Sequence, residues 1–153
     1  MGTRKRKSHL RRLLARLCAD EGFAFALERR LLGNILEDPF TGCWEWQRRL
    51  AGNSSGGDLY GMLSVRLPDI AHPVPFRVHV LASVLFNGPV DYRQVRAHRC
   101  DNTLCCNPEH IESKSQSDNI NDSISRFRHS SWKNLNYFGS LGDRRAPGAD
   151  VPF

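Results

Sequence analysis

A dense run of potential metal ligands lies in the middle of the chain, where the segment from His98 to His110 reads HRCDNTLCCNPEH. Cys100, Cys105 and His110 follow one another with four residues between successive members. The segment is too short and too polar to be held together by apolar burial. Thiolates and an imidazole close a tetrahedral zinc site at bond lengths of about 2.0–2.3 Å. The sequence therefore predicts a structural zinc here, with buried free thiols and a surface histidine as the alternative.

A closed structural site needs a fourth ligand from elsewhere in the chain. Cys43 is our choice, because a remote cysteine would tie a strand to the loop. Cys106 is the competitor, but two adjacent cysteines rarely reach one ion in good geometry. Cys18 falls within the apolar pattern of a predicted helix, and we expect it to be a small core residue.

The composition limits the classes of protein to consider. The chain of 153 residues is long enough for one domain with a modest core, and it carries 22 Lys+Arg against 16 Asp+Glu. This basic surface favours a polyanionic partner, most often nucleic acid, over a merely basic protein. Five cysteines, an odd number, fit a reduced compartment. With no apolar run that predicts a membrane span or a signal peptide, we expect an intracellular protein, cytoplasmic or, in a eukaryote, nuclear.

The first 38 residues are predicted to form a helical, basic N-terminal extension. Apolar residues recur at helical spacing in two sets, Leu10, Leu13, Leu14 and Leu17, then Phe23, Leu27, Leu31 and Ile35. The basic segment from Arg4 to Lys7 is a phosphate-contacting arm, a nuclear localisation signal or a solvated tail.

Further elements surround the metal-ligand segment. Alternation from Leu59 to Leu67 predicts a half-exposed strand with Arg66 on its polar face, and a helix from about Val78 ends at Asn87-Gly88-Pro89. Gln94–His98 and His110–Glu112 are predicted strands, followed by a helix over Ser115–Phe127 on which Asn119, Asp122 and Ser123 share a face. Because His98 and Cys100 would share a face in a regular strand, we expect the backbone to bend between them.

The stretch AHRCDNTLCCNPEHIESKSQSDNIND resembles the core of the HNH (ββα-metal) nucleases. It is most similar to the His-Cys box homing endonucleases and to small phage and intron HNH proteins. The likeness extends over about 42–126. It implies an α+β fold: a ββα-metal core with structural zinc, a small antiparallel sheet and flanking helices. The nuclease domain would cover 39–138, with a loose tail, or an arm exchanged between subunits, over 139–153.

The resemblance also assigns roles to residues. It implies that His98 is the general base, that Asn119 holds a catalytic Mg²⁺, and that zinc is bound by Cys43, Cys100, Cys105 and His110. The alternatives are a structural or zinc-bound His98, and a solvated Asn119 with Asp122 as the metal ligand instead. Phage-type members have His-Arg where this chain has His79-Val80, so a basic contact is missing or supplied by Arg77, Arg66 or His72.

We therefore predict a metal-dependent DNA endonuclease that hydrolyses phosphodiester bonds in double-stranded DNA at specific sites, as homing enzymes do. The alternatives are a zinc-stabilised DNA-binding module that does not cut, and a purely structural zinc protein. A homodimer would let the protein cut both strands of a pseudo-palindrome. Phosphate contacts are expected from four arginines, with Lys133 as a further candidate. These arginines are Arg66, Arg77, Arg126 and Arg128.

Overall fold

The computed structural model describes residues 3–52, 59–88, 91 and 93–126, with side chains from Lys5 onward. The chain divides into two compact units, Met1–Ser115 and Gln116–Phe153. Arg128, Lys133 and the predicted tail over 139–153 lie outside the described residues.

Two helices open the first unit, as the N-terminal pattern predicts. Helix α1 spans Thr3–Ala19 and helix α2 spans Glu21–Leu32. Asp20 separates them, because its side chain accepts a hydrogen bond from the backbone N–H of Phe23 and so caps α2. Gly33 ends α2 by donating its N–H to the Arg29 carbonyl at 2.9 Å.

The prediction that the second helix includes Ile35 was wrong. Ile35 begins strand β1, Ile35–Glu37, which pairs antiparallel with strand β2, Trp44–Trp46. Gly33 and Asn34 form a turn after α2, and this turn redirects the chain into the strand. Ile35 is still partly buried against the core, so its apolar character fits the strand equally well.

The remaining strands form two more small antiparallel sheets. Strands β3 (Leu50–Ala51), β4 (Tyr60–Val65) and β5 (Val74–Arg77) pair in the order β3-β4-β5, and strands β6 (Val95–His98) and β7 (Ile111–Lys114) form a pair. Together with the helices, these sheets confirm the predicted α+β class.

The core of the first unit confirms the predicted strand alternation. Burial alternates along β4, with Leu63, Val65 and Leu67 buried. The strand packs near helix α3, Val78–Phe86, in which Leu81 and Ala82 are fully buried. As the Asn-Gly-Pro signal predicts, α3 ends at Asn87 and is followed by Gly88 in the left-handed region at φ +79°.

The second unit is described through Arg126 and contains helix α4, Gln116–Ser125. The predicted helix over Ser115–Phe127 is therefore confirmed to within two residues at its ends. Among the described residues, no helix combines the length and the apolar character that crossing a membrane requires.

Gly61 marks the tightest packing in the core. A Cβ added at this position would lie 2.5 Å from Val78 Cγ2 and 2.7 Å from Trp46 Cδ1. We expect Gly61→Ala to lower the free energy of unfolding by about 1–3 kcal/mol, because overpacking forces buried side chains to move. Urea unfolding of the zinc-loaded protein would measure the change.

Gly22→Ala is the matched control, since its added Cβ would have an ordinary 3.4 Å contact with Asp20 Oδ1. This variant is expected to be neutral or more stable by up to about 1 kcal/mol, because alanine suits a helix better than glycine. Equal unfolding midpoints for the two variants would contradict the packing argument.

Candidate metal centre and active-site histidine

The structure brings together the four residues predicted to bind zinc. One ligand atom from each of Cys43, Cys100, Cys105 and His110 lies within 4.8 Å of all the others. His110 Nδ1 is 3.6 Å from the sulfur of Cys43 and 3.6 Å from that of Cys105. Cys43 directly precedes β2, the other cysteines lie between β6 and β7, and His110 ends the 3-10 turn Pro108–His110.

The distances and the donor atoms both fit zinc. Tetrahedral bonds of about 2.3 Å to sulfur and 2.0–2.1 Å to nitrogen place the two ligand atoms about 3.6 Å apart. Three thiols and one imidazole form a donor set that suits zinc. Burial raises the pKa of the Cys105 thiol to about 12 and also raises the pKa of Cys100, so both are neutral thiols until a metal ion displaces their protons.

Backbone and amide hydrogen bonds hold the ligand loop against β2. Asn107 is buried, and its Nδ2 donates to the Gly42 carbonyl at 2.7 Å while its Oδ1 accepts from the Glu109 N–H. The Cys106 N–H donates to the Trp44 carbonyl at 2.9 Å. These bonds bring the segment before β2 beside the loop, which is why a cysteine 57 positions before Cys100 can complete the cluster.

The remaining two cysteines lie outside the cluster. Cys106 is fully buried, but its Sγ lies 3.3 Å from the Trp44 carbonyl, and burial raises the pKa of its thiol to about 12. Cys18 was predicted to be a core residue, and this was wrong because its side chain is exposed. At 3.6 residues per turn, Cys18 lies about 140° around α1 from the buried Leu13.

His98 ends β6, and the backbone bends immediately after it. Arg99 and Cys100 form a bend, the Arg99 N–H donates to the His110 carbonyl at 2.9 Å, and Asp101 adopts a φ of +59°. The predicted bend between His98 and Cys100 is therefore confirmed. It lets Cys100 join the metal-ligand cluster while His98 takes a separate position.

The hydrogen bond of His98 determines which of its ring nitrogens can act as a base. Nε2 of His98 lies 2.9 Å from the Cys105 carbonyl oxygen. A carbonyl oxygen only accepts hydrogen bonds, so Nε2 carries the proton in this pairing. In the neutral imidazole, Nδ1 then carries the lone pair that can accept a proton. The Cys105 residue thus links the metal-ligand cluster to the orientation of the histidine.

His79 lies beside His98, although the sequence resemblance named it only for the missing arginine after it and gave it no role of its own. Its ring lies 4.6 Å from the His98 ring at an interplanar angle of 65°, and Tyr60 contacts both histidine rings. His79 is only 2% exposed, and burial, followed by the nearby charge of His98, lowers its pKa well below the usual value. A histidine in the mostly apolar sequence VHVLASVLF was the available signal.

Arg77, Arg66 and His72 were the candidates for the basic contact, and they lie in different parts of the first unit. The Arg77 guanidinium lies 4.1 Å from the centre of the Tyr60 ring, so it stands next to the His79–His98 pair. Arg66 is exposed just beyond β4, and His72 is exposed in the bend before β5. Of the three candidates, Arg77 is the one whose charge acts on His79, where, in addition to burial and the charge of His98, it helps to lower the pKa of that histidine.

Three of the site residues named from the sequence and described by the structure belong to the second unit. Asn119 lies in α4, one turn before Asp122 on the same side of the helix, and Arg126 follows the end of α4. The side chains of Asn119 and Asp122 offer the oxygen ligands that Mg²⁺ prefers.

Comparisons with known proteins find a family similarity in this region. Residues 76–120 match the family model described as HNH endonuclease. The match includes His79, His98, Asn119 and three of the four clustered metal ligands. It confirms the predicted resemblance to the HNH nucleases.

The chain is also similar to Protein 2.8 of Escherichia phage T7, with 33% identity over 94 residues. The alignment covers 61% of this chain and 58% of the phage protein. No solved structure matches the chain.

Proposed function

We propose that the protein is a metal-dependent DNA endonuclease that hydrolyses phosphodiester bonds, with His98 as its general base. The observation that carries this proposal is the hydrogen bond from His98 Nε2 to the Cys105 carbonyl, which leaves Nδ1 as the basic nitrogen. The HNH endonuclease match over residues 76–120 supports the reaction class. The net charge of +6 suits a DNA substrate.

In the proposed reaction, Nδ1 of His98 removes a proton from a water molecule as the water oxygen attacks the phosphorus atom. The new P–O bond forms as the bond to the 3′ oxygen breaks, and that oxygen takes up a proton. The products are a 5′-phosphate and a 3′-hydroxyl. A neutral imidazole suits the proton transfer because its usual pKa lies near physiological pH.

The two metals would have separate tasks. Zinc held by the Cys₃His cluster would fix the loop whose Cys105 carbonyl orients His98. Asn119 would hold Mg²⁺, with Asp122 as the alternative ligand. The bound ion would neutralise part of the negative charge on the phosphate. The Arg77 guanidinium, held over the Tyr60 ring, is our candidate for the basic contact that phage-type relatives have after their histidine.

Three finer features belong to the same proposal. Cleavage at particular sequences, as in homing endonucleases, follows from the His-Cys box likeness. The nuclease domain would occupy 39–138, with the basic helical extension before it. A homodimer on a pseudo-palindromic site would cut both strands, and equilibrium sedimentation of the zinc-loaded protein with and without DNA would test this assembly.

The proposal is tested by incubating zinc-loaded protein with long, sequence-diverse duplex DNA, with and without added Mg²⁺. We expect discrete fragments only with Mg²⁺, and ligation assays on the fragments should detect 5′-phosphate and 3′-hydroxyl ends. Performing the reaction in ¹⁸O-labelled water should place the label on the 5′-phosphate. DNA that is bound but remains intact would instead support the zinc-stabilised binding module.

His79 is proposed as a positioning residue that acts through His98. His79→Ala removes the ring packed against His98, and we expect kcat to fall by about 100-fold with KM nearly unchanged, because a small displacement of the base is costly. His79→Phe restores a ring at this place and should recover most of the loss. Steady-state cleavage rates at several DNA concentrations would separate the two constants.

Ser83→Ala is the matched control, since Ser83 is equally buried, at 1% exposure, one turn further along α3. It should change stability without a selective effect on kcat. A loss of kcat in Ser83→Ala as large as in His79→Ala would show that any damage to α3 has the same effect.

A further inference from the structure

The edge of β4 beyond β3 is closed by arginine side chains rather than by another strand. Within the described residues, β3 pairs with Tyr60 and Gly61 alone, and the Met62 N–H donates to the Arg49 carbonyl at 2.8 Å on the same side. Alternate residues of a strand direct their backbone groups to the same edge, so the carbonyls of Ser64 and Arg66 emerge there too.

Helices α1 and α2 supply the groups that satisfy those two carbonyls. Arg30 Nη1 donates to the Ser64 carbonyl at 2.9 Å, and Arg16 Nη1 donates to the Arg66 carbonyl at 2.9 Å. The Arg16 guanidinium also lies 4.0 Å from the centre of the Phe23 ring. Both side chains are therefore fixed, and each retains further N–H groups.

Two adjacent grooves follow this edge and share Arg30. One is lined by Arg16, Arg30 and Arg66 over an apolar floor that includes Phe23 and Val65. The other is lined by Arg30, Arg48 and Arg49 beside Ser64, and Arg48 Nε donates to Asn34 Oδ1 at 2.6 Å.

Among the described residues, no aspartate or glutamate lines either groove. Within the part of the chain that the structure describes, none of the five arginines forms an ion pair with a carboxylate. All five lie outside the HNH match over residues 76–120. We call this surface the arginine edge; it consists of Arg16, Arg30, Arg48, Arg49 and Arg66.

We propose that the arginine edge binds the phosphate backbone of duplex DNA at a distance from the bond that is cut. Guanidinium groups suit phosphate because their N–H donors match its oxygen atoms in pairs. Arg49 lies beside Met62, which is four residues before Arg66 in the chain. Four residues of extended strand span about 13 Å, which is about the length that four phosphates of one DNA strand occupy along the duplex axis. The choice of duplex DNA as the ligand rests on the proposed function.

Closing the strand edge does not account for the whole set of arginines. Arg16 and Arg30 cap carbonyls, but the guanidinium groups of Arg49 and Arg66 form no hydrogen bond or ion pair with any described residue. Both side chains are exposed at the grooves. These two arginines can therefore be changed without disturbing the edge.

The test measures DNA affinity against salt concentration for zinc-loaded His98→Ala protein without Mg²⁺, on a duplex of about 30 base pairs. Adding Arg49→Gln and Arg66→Gln should reduce the slope of log K against log salt by about 1.8, since each phosphate contact contributes about 0.9. The melting temperature should not change. The control is the double variant Arg11→Gln with Arg29→Gln, which removes the same charge from exposed positions outside both grooves. It should change the slope by less than half as much.

An unchanged slope in the Arg49/Arg66 variant, or equal changes in both double variants, would overturn the proposal. Loss of binding to anionic phospholipid vesicles without loss of DNA binding would overturn it in favour of a membrane ligand. The nuclease assignment is judged separately by cleavage in protein that retains His98. Intact DNA together with the expected slope change would reject the nuclease and keep the arginine edge.

Discussion

Replacing Cys105 with serine is expected to abolish zinc binding and to unfold the region between β6 and β7. Cys105 is fully buried, and its sulfur lies 3.6 Å from His110 Nδ1. Structural zinc contributes about 10–16 kcal/mol of apparent folding free energy in zinc-finger peptides. That contribution is comparable to the total stability of about 5–15 kcal/mol that is usual for a domain. Losing one ligand should therefore remove most of the cooperative unfolding transition.

Cys106→Ala provides the neighbouring control, since Cys106 is equally buried but its sulfur lies near the Trp44 carbonyl instead. It should keep one zinc ion per chain and lose at most about 2 kcal/mol. Native mass spectrometry would count zinc, and thermal unfolding with and without a chelator would report stability. One zinc ion retained by Cys105→Ser, or zinc lost from both variants, would contradict the ligand assignment.

His98→Ala should reduce the rate of DNA cleavage by about 10²–10⁴-fold, the range typical for loss of a general base. The zinc content and the DNA affinity should remain close to those of the unchanged protein. His98 donates its Nε2 proton to a backbone carbonyl and is not among the four clustered ligands, so removing its ring leaves those ligands in place. Single-turnover kinetics with saturating protein would isolate the chemical step from binding.

His72→Ala serves as the control for removal of a histidine, because His72 is exposed in the bend before β5 and Arg77, not His72, is our candidate for the basic contact. Its cleavage rate should be unchanged. A decrease of less than tenfold in His98→Ala would show that another group is the base. Loss of zinc from the same variant would show that His98 has a structural role instead.

The sequence predicted the parts of the site that depend on local spacing. The ligands from Cys100 to His110 lie within one short loop, so their grouping follows from the chain itself. Periodicity also predicted β4 and α3, because burial of one face imposes a period of two or 3.6 residues. The choice of Cys43 needed an additional argument, that two adjacent cysteines such as Cys105 and Cys106 seldom share an ion.

Other features depend on contacts between distant segments, which spacing does not encode. His79 meets His98 only because α3 packs near β6, and Arg16 reaches the Arg66 carbonyl across 50 positions of the chain. Ile35 was assigned to a helix because three preceding apolar residues had helical spacing, whereas Gly33-Asn34 ends that helix. The prediction for Cys18 failed for a similar reason, because apolar neighbours in the sequence do not determine on which face of the helix a residue lies.

One cleavage measurement tests most directly whether His98 is the base of a DNA-cutting site. Zinc-loaded protein and its His98→Ala variant would be incubated with the same long duplex DNA and Mg²⁺, after equal zinc content and equal DNA affinity had been verified. We expect discrete fragments from the unchanged protein and intact DNA with the variant. Intact DNA with both, or equal fragments from both, would contradict this assignment.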